Sequence, residues 1–156
     1  MTSTLSKVEV KQRVALLKRL KQTLTSQRQK FQAYLQLLDA EKGSVQRNEV
    51  DELRAQVELE DELVAGIQAF QKVIEPLEAV YRESYGEPSD AEVLDLRSSL
   101  ASLKGQVSER SRENRSLLSK SMEVLSGEIV RLRPHVRGRG PYASSRAVSS
   151  LVDITT

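Results

Sequence analysis

The sequence predicts an all-α protein, an elongated antiparallel three-helix bundle or coiled coil with a flexible C-terminal tail. Three observations carry that prediction. Apolar residues recur at alternating steps of three and four over most of residues 7–132, the 3.5-residue period of helices packed nearly parallel along their length. Turn-forming residues at 43–48 and 85–89 divide the pattern into three. Charge is segregated along the chain: residues 1–40 carry net +6, residues 41–97 net −9 and residues 98–156 net +5. An acidic middle helix between two basic ones is complementary within one chain, and short turns make consecutive helices antiparallel neighbours. Exposed pairs contribute only ~0–1 kcal/mol each, so the charges choose neighbours while the apolar seams drive association.

The first helix begins near Lys7, because Ser6 and Glu9 have the spacing of a capping box. Its seam reads Val10, Leu17, Leu20, Leu24, Phe31, Tyr34, Leu38, interrupted only at Arg13 and Gln27. Gly43-Ser44 is expected to end it at about Lys42. Asn48, with Asp51 three positions on, is expected to cap the second helix, over about 49–84. That helix has the seam Val50, Leu53, Val57, Glu60, Val64, Ile67, Phe70, Ile74, Leu77, Tyr81, which Glu60 alone violates. Pro76 is expected to kink it rather than stop it, since the period resumes beyond.

Tyr85-Gly86-Glu87-Pro88 is a turn by composition, and Ser89 with Glu92 forms a second box opening helix three, over about 90–132. Its first half follows Val93, Leu96, Leu100, Leu103, Val107, and its second half Leu118, Met122, Leu125, Ile129, Leu132. The register shifts between the halves, where Ser111 and Asn114 take seam positions. Asn114 is either a register device or the place where the bundle parts for a guest. Residues 1–132 are thus read as one bundle. Residues 133–156, rich in Arg, Gly and Ser with an apolar tip at Leu151, Val152 and Ile154, are read as a flexible basic tail.

Several functions are excluded or disfavoured. The chain has no Cys, so disulfide frameworks and thiolate metal sites are ruled out. No apolar run approaches the ~20 residues of a membrane span, and no signal-peptide apolar region is visible at the N-terminus. The expectation is a soluble cytoplasmic protein. The single His135 falls in the tail, with nothing to position it for acid–base work, and no nucleotide or nucleophile motif is present. The expectation is a non-enzyme without cofactor or metal. Glu58, Glu60, Asp61 and Glu62 read as a mostly solvated acidic face. Arg137-Gly138-Arg139-Gly140 resembles RNA-contacting Arg-Gly tails, but one aromatic, Tyr142, offers little base stacking. Nucleic-acid binding is therefore not expected. Partner binding is better supported: Leu118, Met122, Leu125, Ile129 and Leu132 form a groove for another chain's helix if helices one and two stop short of them.

Three blocks resemble the FlgN-like flagellar export chaperones. The first is Tyr34-Leu35-Gln36-Leu37-Leu38-x-x-Glu41-Lys42, a short turn, and Asn48-x-x-x-x-Leu53. The second is Asn114-x-x-Leu117-Leu118. The third is the Gly/Ser-bearing tail with Tyr142 and Ser150-Leu151-Val152-Asp153. The chain departs from the pattern at Glu60-Asp61-Glu62, where relatives often place a lysine. The resemblance implies a cytoplasmic chaperone of flagellar type III secretion. It would bind C-terminal helical segments of hook-filament junction (hook-associated) proteins, keep them unassembled, and deliver them to the export gate and its ATPase complex. It places Asn114, Leu117 and Leu118 near the groove and assigns Tyr142, Leu151 and Val152 to the tail's part in binding. Such a chaperone is a monomer or weak homo-oligomer. Two other readings stand beside it: a structural coiled-coil protein that homo-oligomerises through its seams, and an RNA-binding accessory protein.

Overall fold

A computed structural model of the chain describes residues 6–132. They form three long helices: α1 (Lys7–Gln46), α2 (Val50–Tyr85) and α3 (Ala91–Leu132). The start of α1 is the expected capping box: Ser6 Oγ accepts from the Glu9 N–H at 3.2 Å, and the Ser6 N–H donates to Glu9 Oε2 at 2.7 Å. Two orphan donors are satisfied reciprocally, which fixes where the chain turns helical.

The two turns differ from expectation. α1 does not stop at Gly43-Ser44 but runs another turn to Gln46, because Ser44 and Val45 are buried and Ser44 Oγ bonds back to Ala40 O. Asn48 does not cap α2. It takes the left-handed conformation, φ 55°, that reverses the chain, a role short polar side chains tolerate. Glu49 precedes α2 with no side-chain cap, while its carboxylate pairs with Arg47. At the second turn Gly86, φ 81°, supplies the other positive-φ position. The cap of α3 is Asp90 rather than Ser89: Asp90 Oδ1 accepts from the backbone N–H of Glu92 at 2.9 Å and of Val93 at 3.3 Å. α2 passes through Pro76 without a break.

α1 is the shared partner. It packs along both α2 and α3, whereas no Cα of α2 comes within 8 Å of one in α3. The core is one cluster. Leu20, Leu24, Phe31, Tyr34 and Leu38 from α1 meet Val64, Ile67 and Ile74 from α2, and Val93, Leu96, Leu100, Leu103 and Val107 from α3. Each such buried side chain contributes roughly 1.5–3 kcal/mol. The outer members of the expected seams, Val10 and Val50, are exposed instead. Val10 lies below the height at which α3 begins along α1, and Val50 opens α2 at the hairpin turn, where α3 passes without a close approach to α2.

Polar contacts set the register. Arg13 stacks over Tyr81 and Tyr85 and donates from Nε to Tyr81 Oη at 3.0 Å, which holds α1 antiparallel to α2. Lys21 Nζ lies 3.0 Å from Asp90 Oδ2, and Arg110 pairs with Asp39, so α3 runs parallel to α1 and begins well along it. Arg97 Nη2 reaches Glu78 Oε1 at 3.1 Å across the wider α2–α3 gap. Among the described residues no ion pair joins basic α1 directly to acidic α2.

Candidate helix-docking site

Because α3 starts late along α1, it also finishes late. Asn114 lies against Leu38, and Leu117 shares a shallow cleft with Lys42 and Gln46, the last turn of α1. Leu118 and Leu117 are half-buried, and every residue from Met122 to Leu132 is exposed. The last eleven residues of α3 therefore run past the end of the hairpin, a projection of about 16 Å at 1.5 Å per residue. On this projection Met122, Leu125, Ile129 and Leu132, spaced three, four and three, lie in one stripe and are 48–72% exposed. Val124 and Val130 are exposed as well, on other sides of the same helix. An isolated helix with such a seam lacks the partner that its period demands.

At the base of the projection the apolar core gives way to a buried polar layer. Asn114 Nδ2 donates to Leu38 O at 2.8 Å, which fixes α3 on α1 at this height. Tyr34 Oη donates to Glu60 Oε1 at 2.6 Å. Glu60, read from sequence as part of a solvated acidic face, is instead 3% exposed. Its neighbours Glu58, Asp61 and Glu62 do face water. Glu41 from α1 is equally buried and lies beside Glu60 and Asn114. Burial, then the charge of Glu60 and a hydrogen bond with it, push the Glu41 carboxyl up to about 8. Burial and the same Glu60 carboxylate push the Tyr34 phenol up. Glu41 Oε1 and Gln56 Oε1 find no donor among the described residues. Two carboxyls from facing helices thus close the bundle interior where α3 leaves it.

Of the residues read from sequence as a partner site, Asn114, Leu117 and Leu118 lie at the base of the projection, and Met122, Leu125, Ile129 and Leu132 line its stripe. Asn114 also holds the register, through its bond to Leu38 O. Tyr142, Leu151, Val152 and Ile154 lie outside the described residues. The buried Tyr34–Glu60–Glu41 layer was not anticipated, although its signal was present: Glu60 alone broke the α2 seam. Among the described residues no group of three or more His, Asp or Glu side chains is placed to hold a metal ion. No described helix is long and apolar enough to cross a membrane.

Comparison with known proteins places this geometry in a family. The chain is 30% identical over 147 residues to an uncharacterized protein of Treponema pallidum (strain Nichols), covering 94% of each chain. No solved structure matches. The family model described as FlgN protein matches residues 16–146, which include most of α1, all of α2 and α3, and the exposed stripe. The chain belongs to the FlgN family and so to the flagellar export chaperones.

Proposed function

We propose that the chain is a cytoplasmic, non-enzymatic chaperone whose projecting end of α3 binds the C-terminal helical segments of hook-associated proteins. The apolar stripe of Met122, Leu125, Ile129 and Leu132, standing clear of the hairpin, carries this reading. Subunits that assemble through coiled-coil pairing have unpaired apolar helix faces beforehand. A helix offering a complementary stripe covers such a face and blocks premature assembly. The same stripe pairs with the client rather than with α1 or α2, because both end below it. Handover to the export gate and its ATPase complex completes the role, with residues 133–156, including Tyr142 and the tip at Leu151, Val152 and Ile154, as a second contact.

The test is co-purification of the full chain with C-terminal fragments of candidate hook-associated proteins. Leu125→Glu and Ile129→Glu are expected to abolish capture while leaving the unfolding midpoint unchanged. Removal of residues 133–156 separates client binding from gate binding. Undiminished capture by both Glu variants would exclude the stripe as the client site.

A further inference from the structure

α2 carries a second apolar seam that the bundle leaves half used. Leu59, Leu63, Phe70, Val73, Leu77 and Val80, with Gly66 in the remaining slot, recur at steps of four and three, the same period as the buried line of Glu60, Val64, Ile67, Ile74 and Tyr81 beside it. Phe70 and Leu77, expected in the buried seam, fall on this flank because both are only partly buried. Leu63, Phe70 and Leu77 lean onto the core, but Leu59, Val73 and Val80 remain 38–51% exposed. α2 has only α1 as a close neighbour, so nothing in the described chain covers this side.

The seam forms one wall of a groove. Lys30, Ala33 and Leu37 of α1 face Leu59, Glu62 and Leu63 of α2 across it. At about 100° per residue, Lys30 points half a turn away from both Lys21 and Asp39, which take the contacts of α3. The groove is thus on the opposite face of the hairpin from α3. The aliphatic stem of Lys30 lies over Gly66, where an added Cβ would meet it at 3.5 Å. Neither Lys30 nor Glu62 forms an ion pair among the described residues. The groove therefore has an apolar floor of Ala33, Leu37, Leu59 and Leu63, with the cation of Lys30 on its α1 wall and the carboxylate of Glu62 on its α2 wall.

We propose that a second copy of this chain occupies the groove, related by a twofold axis parallel to the helices. Such an axis preserves height along the rod and exchanges sides. Each acidic α2 then lies antiparallel against the partner's basic α1, completing a four-helix arrangement. Glu62 comes to face the partner's Lys30, and the reverse pair forms by symmetry. The charge pattern selects this occupant. A helix of one charge sign satisfies one wall and opposes the other, and a twofold axis across the helices stacks α1 on α1 and α2 on α2, like on like. The inference is independent of the client reading, since the projecting stripe of α3 lies elsewhere and stays open in the dimer.

Sedimentation equilibrium of the full chain is expected to show a concentration-dependent monomer–dimer equilibrium. Lys30→Glu and Glu62→Lys alone are each expected to raise the dissociation constant by roughly tenfold, and the double variant to restore it. Both positions are exposed, and far-UV circular dichroism checks that the fold is retained. Because the chain has no cysteine of its own, Leu37→Cys and Leu59→Cys single variants can be mixed under oxidation. The 37–59 heterodisulfide is expected to dominate over either homodisulfide. A strictly monomeric chain at high concentration, an association indifferent to the charge reversals, or predominant homodisulfides would each overturn the proposal. Loss of client capture by the groove variants of a monomeric chain would likewise overturn it, in favour of a client in the groove.

Discussion

Tyr34 Oη donates a 2.6 Å hydrogen bond to Glu60 Oε1 inside the bundle, joining α1 to α2 where both side chains are nearly sealed from water. Tyr34→Phe keeps the ring and deletes the donor, leaving a buried carboxyl short of a partner. Such a loss costs about 1–3 kcal/mol, so the urea midpoint should fall with its slope unchanged. The companion Tyr34→Phe/Glu60→Leu chain should recover much of the deficit, because both polar atoms are then gone. Equal stability of the wild type and Tyr34→Phe would show the bond to be idle.

Glu41 gives the layer a pH signature. Its carboxyl, with an ordinary value of 4.5, is pushed up to about 8 by burial and by Glu60. The folded bundle thus favours the protonated form. This contribution is complete below about pH 4.5 and is lost as the pH rises through about 8, with a limiting slope of ~1.4 kcal/mol per pH unit for one proton. Glu41→Gln keeps the volume and cannot titrate. Relative to wild type it should gain stability steadily between about pH 5 and about pH 8. Parallel stability–pH curves for the two chains would place the proton elsewhere.

Much of this was legible in the residues, for reasons that differ from place to place. The seams of α1 and α3 announced Leu20, Leu24, Phe31, Val93, Leu96 and Leu100 as core, because a strict 3.5-residue period has little other use. The Ser6–Glu9 box located the first helix start to the residue. What failed was anything decided by one helix's height against another. Gly43 looked like a stop, but burial of Val45 draws α1 onward. Val10 looked like core, but α3 begins too far along α1 to cover it. The same offset makes the end of α3 project, and sequence period cannot encode an offset between helices. Glu60 looked solvated because carboxylates usually are, and only the arrival of the Tyr34 hydroxyl makes its burial tolerable.

The offset gives the two seams of α3 different fates. Leu100 and Leu125 sit in the apolar seams of the first and second halves of α3, yet Leu100 is in the core cluster and Leu125 on the bare projection. Leu100→Ala removes buried methyl groups and leaves a cavity, at a cost of about 2–5 kcal/mol. Leu125 stands on the part of α3 that no other described helix covers, so Leu125→Ala should change stability by less than about 0.5 kcal/mol. Urea unfolding of the two variants measures the contrast directly. A large loss at Leu125 would mean that something covers the stripe in the free protein.

Two helical glycines extend the contrast to the backbone. An added Cβ at either Gly105 or Gly127 meets no atom within 4 Å, so Ala fits both. Ala in a helix interior is favoured over Gly by roughly 0.5–1 kcal/mol. Gly105 lies in the packed length of α3, where helix and bundle unfold together, so Gly105→Ala should raise the global midpoint. Gly127 lies on the projection, which no other described helix packs against, so it opens separately from the bundle. Gly127→Ala should leave the global midpoint in place and slow amide hydrogen exchange between Met122 and Leu132. If the projection docks helices, the stiffer stripe loses less entropy on binding, and client affinity should rise by up to about fivefold. A shift of the global midpoint with Gly127→Ala equal to that with Gly105→Ala would mean that the projection and the bundle form one cooperative unit.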